Sequence, residues 1–250
     1  MATVIDRVKG KIVNYDERRG VVTIEAPYED FARMCRREYK EVEITMIDSR
    51  PLSDRQRRCC YAMIREIADY MGDMQTATQD TMEKAFCSAM KRERINATKE
   101  WAKLRFWTDE LQETAEGLFS LSNAPMSVVA AFQSWLARFI VREDIPTNRP
   151  MLEYVDDIED YVYACLMHKK CPICGRRADL HHVEAVGAGR DRTQIVHEGM
   201  EVLPLCREHH MEIHRIGKGE FFEKYHIGGG IEADKTICRL YGLKTRKKGA

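Results

Sequence analysis

The chain has 250 residues, 44% hydrophobic and 32% charged, and its 40 basic and 40 acidic side chains cancel to a formal net charge of zero. This is an ordinary globular composition with room for two modest domains, and the balanced charge at first argues against a nucleic-acid partner. No apolar run approaches the ~20 residues of a membrane span and the N-terminus lacks a signal-peptide pattern, so a soluble, cytoplasmic protein with no membrane partner is expected.

Residues 3–26 alternate as a hairpin does, VIDRVKGKIV and then GVVTIEA about a DERRG turn. A short helix over 28–37 and a third strand, EVEITMID, follow. Pro51 and Ser53 open a helix in which Ser53 and Gln56 form a capping box, with Cys60, Ile64, Ile67, Ala68 and Met71 as its apolar stripe. Thr78 to about Arg94 repeats the pattern, with Met82, Ala85, Phe86, Ala89 and Met90 facing inward. Residues 97–116 read as a further helix, LFSLS at 118–122 as a strand, and Val128–Val141 as a helix burying Val129, Phe132, Leu136 and Ile140. The segment EDIPTNRPMLE carries two prolines and breaks the periodicity. It places a linker at 147–155, between a domain of residues 1–146 and one of residues 156–250 that opens on a helix from Asp156 to Leu166. The fold class expected is α+β.

All eight histidines lie from His168 onward, and three of them crowd with a cysteine into LCREHHMEIH at 205–214. Charge is uneven too: residues 168–250 hold 16 Lys and Arg against 11 Asp and Glu, hence +5, which leaves −5 for residues 1–167. The chain ends on a basic run, Lys244 to Lys248, which suits a solvated tail or a phosphate contact. Of the nine cysteines, Cys171, Cys174 and Cys206 look committed to metal, and the other six are expected to stay reduced.

Cys171-Pro-Ile-Cys174 is a C-x-x-C knuckle, and Cys206-Arg-Glu-His209 follows 32 positions after Cys174. Two such pairs supply the four ligands of a tetrahedral structural zinc site. If residues 204–215 start a helix, Cys206 and His209 share one face, while His210 and His214 share another, rotated by roughly 100°. One helix can then serve two ions. Further ligands for the second are available in Asp179-Leu180-His181-His182-Val183, a short strand that feeds a glycine-rich loop at 187–192.

Strand, loop, strand and helix, with paired histidines at one end and histidines four apart at the other, is a ββα-metal layout. CPIC, LHHV and LCREHHMEIH together resemble the zinc-knuckled members of the HNH endonuclease family. The resemblance implies that His181, His210 and His214 bind a catalytic divalent ion, with magnesium or manganese the first expectation and zinc or nickel also acceptable to imidazole. It implies that His182 is the general base, and that the products carry a 5′-phosphate and a 3′-hydroxyl. Arg190, Arg192 and Arg207 are candidate phosphate clamps, because guanidinium forks match phosphate oxygens. The family's middle asparagine falls at Glu201, so either Glu201 or His197 is left to brace the loop carrying His182.

VEITMIDSRPLSDRQRRCCYAMIREIADYMG, TMEKAFCSAMKRE and APMSVVAAFQSWLARF are similar to the Orf (NinB) recombination mediators of lambdoid phages, over roughly residues 38–146. That resemblance implies a homodimeric, single-stranded-DNA-binding half, with a recombinase or a single-strand-binding protein as partner. Arg50, Arg55, Arg57 and Arg58, at the start of the capped helix, are its candidate DNA contacts. Trp101, Phe106 and Trp107 are candidates for base stacking or for burial. The function expected is a DNA endonuclease acting on single-stranded or branched DNA in phage recombination, in the host cytoplasm. A non-catalytic mediator with a zinc-stabilised C-terminal module is the alternative, and RNA is a third possible substrate.

Overall fold

The computed structural model describes residues 10–27, 50, 52–71, 81–111, 119–184 and 195–246, with the backbone alone for 81–89. The expected helix at 28–37, the strand at 41–48, the glycine-rich loop with Arg190 and Arg192, and Lys247 and Lys248 lie outside the described residues. The chain divides into two units, residues 1–47 and 48–250. Strands and helices occur together, which gives an α+β protein. Among the described residues, no helix is long and apolar enough to cross a membrane.

In the first unit, β1 (Lys11–Asp16) pairs antiparallel with β2 (Val21–Glu25), Lys11 opposite Glu25 and Asp16 opposite Val21. The turn is closed by Asp16, whose Oδ1 accepts the backbone N–H groups of Arg18 and Arg19 at 3.0 and 3.2 Å. A short polar side chain that mimics a backbone turn in this way is the physical reason for the aspartate.

The second unit begins with α1 (Asp54–Met71). Its capping box forms as the sequence implies: the Gln56 amide donates to Ser53 Oγ at 3.1 Å, and Gln56 Oε1 accepts the Ser53 N–H at 3.4 Å. Cys60, Ile64, Ile67 and Ala68 are fully buried, but Met71, placed in the same stripe, is 62% exposed at the helix end. Helix α2 (Thr81–Phe106) is one continuous element where two were expected, since nothing between Arg94 and Ala97 breaks a helix. It ends in a π turn over Trp107–Leu111. Met90, expected to face inward, is 53% exposed. The expected strand at 118–122 is instead a turn around Leu121–Asn123, stitched by Ala124 N–H to Ser120 O at 2.9 Å. Helix α3 (Met126–Arg142) buries Val129, Phe132, Leu136 and Ile140 as its periodicity predicts.

The 147–155 segment carries a 3-10 turn, Met151–Glu153, and buries Met151, Tyr154 and Val155. It is tied to α1 through Glu66, a carboxylate only 7% exposed. Glu66 accepts Asn148 N–H at 3.1 Å, Asn148 Nδ2 at 2.8 Å and the Tyr154 hydroxyl at 3.1 Å. Three donors replace the water that a buried carboxylate loses.

Helix α4 (Ile158–His168) is capped by Asp157, which accepts Asp160 N–H at 3.0 Å, and ends at Lys169 in the left-handed region. Strands β3 (Asp179–His182), β4 (Glu201–Leu205) and β5 (Ile231–Glu232) form an antiparallel sheet in the order β3-β4-β5. Helix α5 (Arg207–Ile216) follows β4 directly, and then α6 (Lys218–Tyr225) and α7 (Lys235–Leu240) complete the unit. One apolar core runs from Cys60 and Ile64 of α1 through Phe132 and Leu136 to Tyr161, Leu203, Leu205, Ile213 and Phe221. A smaller cluster of Leu166, Val202, Ala233, Ile237 and Cys238 lies on the other side of the sheet.

Candidate metal centre

The knuckle is a backbone device. Gly175, at φ +69°, turns the chain so that its N–H reaches Cys171 O at 2.8 Å, while Cys171 N–H reaches Arg176 O at 2.8 Å. Both cysteines are thereby held at one corner, and the Tyr161 hydroxyl steadies the turn by donating to Pro172 O at 3.0 Å. From the other side, Cys206 is the extended residue that joins β4 to α5, so its side chain and that of His209 emerge together at the helix start.

These four residues converge. Cys206 Sγ lies 3.1 Å and Cys171 Sγ 3.5 Å from His209 Nδ1, and Cys174 and Cys206 sulfurs are 3.6 Å apart. Ligands on a tetrahedron with zinc–sulfur bonds of ~2.3 Å stand about that far apart, so the donor set fits zinc. The cysteines are free thiols, not disulfides.

Arg176 completes this cluster, and the sequence reading missed it. Its Nε donates to Cys174 Sγ at 3.3 Å and its Nη2 to Cys206 Sγ at 3.7 Å, while Glu208 holds the guanidinium from the far side. Burial, the largest single influence, raises the Cys174 thiol, but the hydrogen bonds from Arg176, Cys206 and Cys171 together hold the group below its ordinary value. Cys171, more deeply buried, is pushed up to about 12. A basic residue two positions after the second knuckle cysteine was the only available signal.

The second cluster is His181, His210 and His214, whose candidate ligand nitrogens lie within 4.8 Å of one another. Four residues make one helical turn, so His210 and His214 stand one above the other on α5. His181 reaches them from β3, opposite Leu203. The rings meet edge to face at 4.7, 5.1 and 4.8 Å between centroids. His181 is 7% exposed, His210 half-buried and His214 open to solvent. Burial first, then His210 and His214 beside it, lower the His181 pKa to about 4. Three imidazoles whose nitrogens converge fit a divalent ion. The two clusters differ in kind: the first offers four candidate ligands, a closed set, while among the described residues the second offers three imidazoles.

His182 lies outside both clusters. Alternation along β3 puts it on the opposite face from His181, across from Val202. Its Nε2 is 2.8 Å from His197 Nδ1. Burial, then His197, hold its pKa below the ordinary value. Glu201 opens β4 opposite Glu232, and it is its main-chain carbonyl that accepts Val183 N–H at 3.0 Å. His197 thus bonds the His182 ring, while Glu201 holds the adjoining main chain at Val183.

The arginines divide. Arg207 is exposed on the first turn of α5, and Arg58 is exposed on α1. Arg55 is paired with Asp156, and Arg57 with Asp54 one turn away. Arg50 is exposed, and its carbonyl accepts Met126 N–H at 3.2 Å. Phe106 is fully buried, in edge and tilted contact with Phe119, Phe132 and Trp135. Trp101 packs on Trp135 and Phe139, so these two rings build the core and are not free to stack on bases. Trp107 opens the π turn and is half-buried.

The chain matches none of the curated proteins and none of the solved structures with which it was compared. A family model described as "Putative HNHc nuclease" matches residues 22–244, spanning the helical region as well as both histidine and cysteine clusters. With the match running over most of its length and both clusters in place, the chain belongs to this HNHc nuclease family.

Proposed function

We propose that the protein is a metal-dependent DNA endonuclease, hydrolysing phosphodiester bonds to a 5′-phosphate and a 3′-hydroxyl. The observation that carries this reading is the contrast on α5: one face contributes to a closed Cys3His cluster and the other to an open three-imidazole cluster. The closed set suits structural zinc. In the open set only imidazoles converge among the described residues, a donor set that suits zinc or nickel better than the magnesium or manganese first expected. A divalent ion bound there supplies positive charge for the phosphate and for the departing 3′ oxygen.

The chain's own residues do the rest. His181, His210 and His214 hold the ion and keep one side open to substrate. His182, neutral near pH 7, takes the proton from the attacking water. Arg207 at the start of α5, and Arg190 and Arg192 in the loop, bind phosphate oxygens. Single-stranded or branched DNA as the substrate, a role in phage recombination, a recombinase partner and a homodimer follow from the Orf resemblance and are supported by that alone.

The test is a nicking assay on single-stranded, duplex and branched DNA, with RNA beside them. Metal-loaded wild type is expected to cut, and His182→Ala and His210→Ala to lose cutting while keeping the wild-type melting temperature. DNA retention without cleavage under every metal would instead indicate the non-catalytic mediator, and cleavage of RNA alone would reassign the substrate.

A further inference from the structure

A base must keep a lone pair free, and an imidazole whose two nitrogens are both engaged cannot serve. His182 Nε2 is already committed, 2.8 Å from His197 Nδ1, with the rings 4.9 Å apart. Either ring can be the donor in this contact, and which one donates decides what His182 can do. If His197 donates, the Nε2 lone pair of His182 is consumed and its proton is on Nδ1, leaving no acceptor. If His182 donates from Nε2, its Nδ1 is free to accept.

His197 is in turn held from several sides. Its N–H donates to Lys244 O at 2.9 Å, and the neighbouring Glu198 carboxylate accepts Arg246 N–H at 2.8 Å. The Met200 N–H returns to His197 O at 3.0 Å, and the Gly199 N–H donates to Ala233 O at 2.9 Å. The passing segment is anchored as well: Leu243 packs with Leu180 and Val202 in the small cluster beneath β3, and its N–H donates to Cys238 O at 2.8 Å. Leu180 stands two residues before His182 on the same strand. Residues 243–246 therefore reach the turn that carries His197 and the small cluster against which Leu180 of β3 also packs.

We propose that His197 is a positioning residue for His182: its Nδ1 accepts the Nε2–H of His182, leaving His182 Nδ1 as the proton acceptor, and Leu243–Arg246 is a strap that fixes His197 in place. This deepens the base assignment made above and rests on it. No atom of His197 needs to touch substrate.

Two measurements on the full-length, zinc-loaded protein test it. Long-range proton–nitrogen spectra of 15N-histidine protein, assigned with His182→Ala, read the His182 tautomer directly; Nε2–H is expected. Nicking kinetics then compare variants. His197→Leu is expected to lower kcat by roughly 10–100-fold with KM little changed, the usual cost of losing a supporting partner. His197→Asn, whose Oδ1 takes the place of histidine Nδ1, is expected to restore most of it. Removing residues 244–250 is expected to lower kcat as His197→Leu does and to mix the His182 tautomers.

An Nδ1–H tautomer in the wild type, or an asparagine variant no better than leucine, overturns the His197 assignment. An unchanged tautomer and kcat after truncation overturns the strap. Full activity of His182→Ala overturns the base reading itself, an outcome separate from these.

Discussion

His181 shows how burial sets the chemistry of a single side chain. It is enclosed by β4 and α5 with two imidazoles for neighbours, and its pKa drops from 6.5 to about 4. In metal-free protein the folded state therefore resists a proton that the unfolded chain accepts. Between those two values the unfolded state binds more protons, so stability falls as the pH is lowered from about 6.5 to about 4. Thermal unfolding of chelator-treated protein should show that slope, and His181→Ala should flatten it; an unchanged slope would contradict the burial of this ring. Arg176 makes the complementary point at the closed cluster, where its cationic donors face two sulfurs. Replacing it with alanine should weaken metal retention by about 10–100-fold, measured by competition with a chromophoric chelator, while the four ligands stay in place.

At the scale of elements, α5 brings candidate ligands of both clusters together. Its N-cap Cys206 and its ten residues place candidate ligands on two faces, because cysteine and histidine three apart share one direction and histidines four apart share another. Gly217, at φ +84°, then ends it immediately after Ile216. That geometry was legible from LCREHHMEIH alone. So were the capping box of α1 and the buried stripe of α3, since both are local patterns. Less legible was the 118–122 segment, where Leu and Phe suggested a strand but Ser120 and the Leu121–Asn123 turn prevailed. Inward faces were misjudged as well, Met71 at the end of α1 and Met90 within α2 being exposed, because periodicity says nothing of where the neighbouring layer stops. The prolines at 146 and 150 suggested a linker, yet the segment around them holds the buried Glu66 through Asn148 and Tyr154. Glu66→Ala should orphan those donors at a cost on the order of 3 kcal/mol, with Glu66→Gln costing less, as read from urea denaturation.

For the 48–250 unit as a whole, the core is continuous from Cys60 of α1 to Phe221 of α6, and Cys171, Ile173 and Cys206 of the knuckle region belong to it. Loss of the closed cluster should therefore be felt in the helices. Cys206→Ala, or removal of the metal by a strong chelator, should lower the melting temperature of α1–α4 together with the ββα part in one calorimetric transition. Two well-separated transitions would show that the halves melt independently.

By itself the sequence determined which residues could hold metal and in what sets, because ligand type and helical spacing are local properties that four or ten residues specify. It also determined the amphipathic faces of α1 and α3. The tertiary structure decided the pairings that close over longer separations: His181 with His210 and His214, Arg176 with Cys206, and His182 with His197. Those depend on how β3, β4 and α5 pack and on where residues 244–246 pass, and no helical or strand spacing rule reaches across the loops and elements that lie between the partners.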